Sequence, residues 1–94
     1  MDLKKIREHL DIMDWDLLVL LATRLLLVRE VAEQKRGKGP IHAPEREAEI
    51  FSRVADDCHV LGLDPDYILE IVSLIIAHAK DAECDVLGID TFFN

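Results

Sequence analysis

The chain has 94 residues, which fits one domain, and half of them are hydrophobic, which is enough for a core. The net charge of −8 argues against nonspecific binding to nucleic acid. Glycine and proline are few, and β-branched residues do not alternate along the chain, so the pattern predicts an all-α fold. We therefore expect one helical domain over residues 1–94.

The sequence also predicts a cytoplasmic protein. The N-terminus has no secretory signal, and the longest apolar runs, 17–22 and 25–28, are too short to span a bilayer. Cys58 and Cys84 fit neither a metal-binding spacing nor a disulfide framework, so we expect reduced thiols. No membrane partner and no metal site are expected.

The first predicted helix begins near Leu3, with Asp2 as its N-cap, and ends near Lys35, before the glycines and proline of residues 37–40. It would be about 50 Å long, whereas a compact chain of 94 residues has a radius of gyration of roughly 12–13 Å. Because one short chain cannot bury so long an apolar face, we expect a homodimer of packed long helices. The apolar positions recur near a heptad spacing: Leu10, Met13, Leu17, Leu20 or Leu21, Leu27 or Val28, and Val31.

Two cations interrupt this apolar face. Lys35 follows Arg24 by eleven residues, about 1100° of helix, so both point within roughly 20° of the same direction. They are either snorkelling side chains or part of an anion pocket between helices. Arg7 precedes Arg24 by seventeen residues, about 25 Å along the axis. It is therefore a solvated charge, or it serves the same pocket from a second, antiparallel chain.

The second predicted helix begins at Pro44, which fits its first position, and ends at Gly62. Glu47 is explained as a first-turn carboxylate, whereas Arg46 opposes the helix dipole and is either solvated or needed by a ligand. Its apolar residues are Ala48, Phe51, Val54, Ala55 and Leu61.

The third predicted helix begins at Asp64-Pro65 and ends near Gly88. Glu83 follows Ala79 by four residues and shares its face, so it is either a surface residue or a desolvated carboxyl group with a raised pKa. The apolar stripe leading to it comprises Ile68, Ile71, Val72, Ile75, Ile76 and Ala79. The sequence contains no phosphate-binding glycine loop and no nucleophile paired with a base, so hydrolytic chemistry is not expected.

The strings IREHLDIMDWDLLVLLATRLLLVREVAEQK and PIHAPERE, in this order and spacing, resemble the all-helical chorismate mutase family. The resemblance covers roughly residues 3–87 and implies three helices per chain, with two chains intertwined through the long first helix. It also implies rearrangement of chorismate, a small dicarboxylate, to prephenate without a cofactor. Such an enzyme holds the compact substrate conformer and stabilises charge on the ether oxygen.

The resemblance assigns a role to each matching residue. Arg24 matches an arginine that binds a substrate carboxylate, and Arg7 matches one that reaches over from the partner chain. Lys35 matches a lysine that contacts a carboxylate and the ether oxygen. Arg46 matches a further arginine of the site, and Glu47 matches a glutamate that hydrogen-bonds the substrate hydroxyl.

Three positions depart from the family pattern. Ala43 replaces an aspartate on the hydroxyl side of the site, and Ala79 replaces a small hydroxyl residue near a carboxylate. Glu83 stands where bacterial relatives often have glutamine, and it must be protonated to donate a hydrogen bond to the ether oxygen. We therefore predict that activity falls as pH rises above neutrality.

Three alternatives to a chorismate mutase remain at this stage. The segment Ala-Pro-Glu-Arg at residues 43–46 also resembles isochorismate-pyruvate lyases, which share the fold. The missing aspartate alters the side of the site that contacts the ring substituent. A mutase for 4-amino-4-deoxychorismate is therefore a second alternative. A noncatalytic helical dimer or adaptor would explain the heptads, but not Arg24 on the apolar seam.

Overall fold

The computed structural model describes residues 2–38 and 43–88, which form three α-helices and, within those ranges, no strand. Helix α1 spans Leu3–Lys35, α2 spans Pro44–Leu61, and α3 spans Pro65–Leu87. The all-α, three-helix prediction is therefore confirmed. Met1 and residues 39–42 and 89–94 lie outside the described residues.

The helix ends follow the signals in the sequence. Asp2 Oδ1 accepts a hydrogen bond from the backbone N–H of Lys5 at 2.9 Å, and Asp64 Oδ1 accepts one from that of Asp66 at 3.0 Å. Helix α2 stops at Gly62, whose φ of 71° is left-handed and suits a residue without a Cβ. Ala43, at the N-cap of α2, provides no side-chain hydrogen bond to the start of this helix.

Helix α3 packs against both α1 and α2, and the core lies along these two contacts. The buried apolar side chains are Ala32, Ile50, Cys58, Ile76, Ala79, Ala82 and Cys84. Not every apolar residue of α2 is buried, because Ala48 is exposed and Leu61, the last residue of the helix, is 69% exposed. Ala48 points about 200° away from Ile50, which faces the core, and Leu61 lies at the end of the packed segment.

The N-terminal half of α1 projects beyond this core. Every side chain from residue 3 to residue 20 is exposed, including Leu10, Met13 and Leu17. The protein measures 55 Å along its longest axis, and its radius of gyration of 16.4 Å exceeds that of a compact domain of this length. The prediction that one chain cannot bury the first helix is confirmed. Within the described residues, no helix is long and apolar enough to cross a membrane.

Arg36, directly after α1, links the ends of α1 and α3. Its Nη2 donates a hydrogen bond to the carbonyl oxygen of Val86 at 2.9 Å and lies 3.0 Å from Glu33 Oε1. This contact holds the last turn of α1 beside the last turns of α3. It thereby places Lys35 close to Glu83, on the side where the two helices border a cleft.

Candidate active site

A cleft of about 290 Å³ lies between the C-terminal half of α1, the first turns of α2 and the C-terminal half of α3. Seven of the eight predicted site residues line it: Arg24, Lys35, Ala43, Arg46, Glu47, Ala79 and Glu83. Much of the remaining wall is apolar, including Leu27, Val28, Val31, Ile50 and Ile76. The cleft therefore combines charged groups with a wall of low polarity, which strengthens their interactions with a bound ion.

Arg24 and Lys35 are both half-buried and both border the cleft, on the shared side of α1 that their spacing predicts. Val28 and Val31 lie between them on the same face of α1, so the two cations border an apolar part of the cleft wall. Two cations about 16 Å apart along the helix axis, converging on one cleft, suit a small ligand with two anionic groups.

Glu83 is a buried carboxyl group, with only 7% of the residue exposed. Burial raises its pKa, and the opposing charges of Lys35 and Lys80 reduce this rise without cancelling it. Its Oε1 lies 3.7 Å from Lys35 Nζ, which is too long for a hydrogen bond. Among the described residues this buried oxygen has no hydrogen-bond partner. Glu83 is thus the desolvated carboxyl group, not a surface residue.

Lys80 also borders the cleft, and reasoning from the sequence missed it. Its Nζ lies 3.0 Å from Glu47 Oε1 and 2.9 Å from Glu47 Oε2, so the ammonium contacts both carboxylate oxygens. Glu47 is therefore more than a first-turn carboxylate, because it joins α2 to α3. The one available signal was that Lys80 directly follows Ala79 and precedes Glu83 by three residues on α3.

Arg46 and the two alanines occupy the edges of the cleft. Arg46 is mostly exposed, and its Nη1 lies 3.3 Å from Glu49 Oε1 on the same helix. Ala79 is buried on α3, and Ala43 is half-buried at the start of α2. The small alanine side chains leave space in the cleft at the positions that the family resemblance assigns to polar groups.

Arg7 is the predicted site residue that the structure does not bring to the cleft. It lies on the exposed N-terminal half of α1. Because α1 is continuous from Leu3 to Lys35, the seventeen residues between Arg7 and Arg24 separate them by about 25 Å. Within one chain, Arg7 therefore cannot contact a ligand held by Arg24.

Comparison with known proteins identifies the family of this chain. Residues 6–83 match the model of the chorismate mutase type II family. The chain is 37% identical over 79 residues to a chorismate mutase of Methanocaldococcus jannaschii, covering 83% of this chain and 80% of that protein. It is 38% identical over 85 residues to a T-protein of Enterobacter agglomerans, covering 89% of this chain but only 23% of that protein.

A third relative is a bifunctional chorismate mutase/prephenate dehydratase of Aquifex aeolicus, 41% identical over 54 residues, which are 56% of this chain and 15% of that protein. The chain thus spans less than a quarter of the T-protein and of the bifunctional enzyme. No solved structure matches it significantly. Since the family model covers most of its length, the chain belongs to the chorismate mutase type II family.

Proposed function

We propose that this domain is a chorismate mutase, which rearranges chorismate to prephenate in the cleft. The observation that carries this proposal is the convergence of Arg24, Lys35 and the buried Glu83 on one cleft with apolar walls. The two cations suit the two carboxylates of the substrate. The buried carboxyl group, whose pKa is raised, suits the uncharged ether oxygen, to which its protonated form can donate a hydrogen bond. Membership of the family and the relative named chorismate mutase support the same reaction.

The reaction breaks one C–O bond of the ether and forms one C–C bond within the same molecule. No proton or electron has to be exchanged with the protein, so catalysis rests on conformation and electrostatics. Arg24 binds one carboxylate and Lys35 the other, which holds the reacting ends of the substrate together. Lys35 and a protonated Glu83 then donate hydrogen bonds to the ether oxygen, where negative charge develops in the transition state.

The hydroxyl side of the substrate faces the opposite wall of the cleft. There Glu47 accepts a hydrogen bond from the ring hydroxyl, and Arg46 contributes positive charge at the rim. Ala43 shapes this wall and Ala79 borders the carboxylate side, and neither offers a polar side-chain group. This orientation brings the ether oxygen beside both Lys35 Nζ and Glu83 Oε1, which lie 3.7 Å apart.

We further propose that the domain forms a homodimer intertwined through α1, with two active sites shared between the chains. The exposed apolar side chains of residues 3–20 support this, because they need a partner surface. A second, largely apolar groove of about 350 Å³ between α1 and α3 is lined in part by Leu21, Leu25 and Leu74, and it offers such a surface. In an antiparallel pair, Arg7 of one chain completes the cleft of the other.

The free, buried thiols of Cys58 and Cys84 fit a reducing compartment, so a cytoplasmic location remains our prediction. No cofactor is required by the proposed reaction, since the substrate supplies all the bonds that change. The proposed partners are therefore the dicarboxylate substrate and a second copy of the chain.

The test is to incubate the purified protein separately with chorismate, isochorismate and 4-amino-4-deoxychorismate, following ultraviolet absorbance and identifying the products. We expect chorismate to have the highest kcat/KM, with prephenate formed and no pyruvate released. Faster release of pyruvate from isochorismate would instead make the protein a lyase. Failure to convert any of the three, together with failure to bind a bicyclic transition-state mimic, would refute an enzymatic role and leave a helical dimerisation protein.

A further inference from the structure

The ion pair between Lys80 and Glu47 takes no part in the bond changes of the proposed reaction, yet it lies in the wall of the cleft. The two residues are 33 positions apart, on α3 and α2, and Lys80 Nζ contacts both Glu47 oxygens at 3.0 Å and 2.9 Å. Only 23% of the Lys80 side chain and 21% of the Glu47 side chain are exposed. The pair is thus partly shielded from water, where charges act more strongly on a ligand than at the surface.

The remaining residues of this wall add little charge beside Glu47, because the positive charge of Arg46 lies at the exposed rim. Ala43 carries none, and the guanidinium of Arg46 pairs with Glu49 on the outer side of α2. Glu47 and Lys80 therefore set the local charge, and their contributions of −1 and +1 cancel. A wall with no net charge offers a carboxylate oxygen as a hydrogen-bond acceptor, but it gives no net attraction to a cation.

We propose that Lys80 determines which ring substituent the cleft accepts, favouring a substrate with a hydroxyl group over one with an amine. This inference rests on the proposed function, in which Glu47 faces that substituent. A hydroxyl donates its proton to Glu47 without adding charge. An amine at the same position is largely protonated at neutral pH, so it brings a second ammonium beside that of Lys80. Repulsion by Lys80 then offsets the attraction that Glu47 exerts on this ammonium, which disfavours the amine compared with a wall that carries Glu47 alone.

The direct test replaces Lys80 with methionine, which keeps a long apolar stem and removes the charge. The measured quantity is the ratio of kcat/KM for chorismate to kcat/KM for the analogue with an amine in place of the ring hydroxyl, at pH 7. We expect wild type to prefer chorismate, and we expect Lys80→Met to lower this ratio about tenfold, which corresponds to about 1.4 kcal/mol. Lys80→Arg keeps the charge and should keep the preference.

Two further variants separate a charge effect from a general loss of structure. Glu47→Gln leaves Lys80 as the only charge of the pair, so the ratio should rise. The double variant Glu47→Gln/Lys80→Met restores a wall without net charge and should return the ratio towards that of wild type at a lower overall rate. Arg53→Met removes an exposed cation of α2 that does not line the cleft, and it should leave kcat/KM for both substrates unchanged.

A purely structural role for Lys80 would lower the turnover of both substrates equally. If wild type converts chorismate and Lys80→Met leaves the ratio unchanged, the proposed selectivity is wrong while the proposed function stands. If wild type converts neither substrate, the proposed function fails and the selectivity fails with it.

Discussion

The sharpest prediction concerns the proton on Glu83. The residue is 7% exposed, and burial raises the pKa of its carboxyl group despite the nearby charges of Lys35 and Lys80. A bound dicarboxylate would add negative charge to the cleft and raise this pKa further. Only the protonated carboxyl group can donate a hydrogen bond to the ether oxygen. Activity should therefore require the protonated form and should fall as pH rises past the pKa of Glu83.

The size of the effect follows from the titration of a single group. Above the pKa, the protonated fraction falls about tenfold for each pH unit, so log kcat should approach a slope of about −1. Glu83→Gln has an uncharged side chain whose N–H₂ donates at every pH. We expect its profile to lack the falling limb, so that above neutrality the variant is faster than wild type.

The assay is chorismate loss by absorbance from about pH 5 to about pH 9, for wild type and Glu83→Gln at the same ionic strength. Glu83→Ala is the matched control that removes the donor altogether, and its kcat should fall about 10²–10³-fold in the acidic range where wild-type Glu83 is protonated. An identical falling limb in wild type and Glu83→Gln would refute the role of the Glu83 proton.

The same pKa shift predicts a change in stability. Because the pKa of Glu83 in the folded state lies above its ordinary value of 4.5, the stability that Glu83 contributes is complete below that value and is lost as pH rises through the folded-state pKa. The melting temperature of Glu83→Gln should therefore rise relative to wild type as pH increases from about 4.5. A constant difference in melting temperature across this range would show that Glu83 does not titrate differently on folding.

Three other changes test separate parts of the structure. Arg24→Ala removes a carboxylate ligand, so kcat/KM should fall about 100-fold or more while thermal unfolding stays cooperative; near-normal kinetics would exclude Arg24 from the site. Ala43→Ser gives α2 a side-chain N-cap, which should raise the free energy of unfolding by about 1 kcal/mol and the melting temperature by roughly 4–8 °C. An unchanged melting temperature would show that the serine does not cap the helix. Leu17→Asp places a charge on the exposed apolar face of α1, and it should dissociate or destabilise the proposed dimer in sedimentation experiments; an unchanged dimer of unchanged stability would place the interface elsewhere.

The helices could be predicted from local signals in the sequence. Asp2 and Asp64 cap α1 and α3, and Gly62 ends α2, as their residue types indicate. The periodicity of α1 also placed Arg24 and Lys35 on one side, where the structure has them lining one cleft. These features depend on residues within one helix, whose geometry is known in advance.

Contacts between helices could not be predicted in the same way. Lys80 and Glu47 meet although they are 33 residues apart, because α3 packs against α2. Spacing along a helix gives the direction of a side chain, but it does not say which helix lies opposite. The same limit explains why the sequence alone did not identify Ile50 as a buried residue of α2.

In the proposed dimer, each active site combines Arg24 of one chain with Arg7 of the other. Arg7→Ala and Arg24→Ala are each expected to be nearly inactive alone, since every site then lacks one arginine. In a mixed dimer of the two variants, one site has both arginines and the other has neither. If equal amounts exchange at random, half the dimers are mixed, so chorismate turnover should recover to about a quarter of the wild-type value per chain.

The decisive measurement is therefore chorismate turnover after the two inactive variants are unfolded and refolded together, with the mixed dimer verified by distinct affinity tags. Recovery to about a quarter of wild-type activity is the predicted result. No recovery in verified mixed dimers would contradict the shared site.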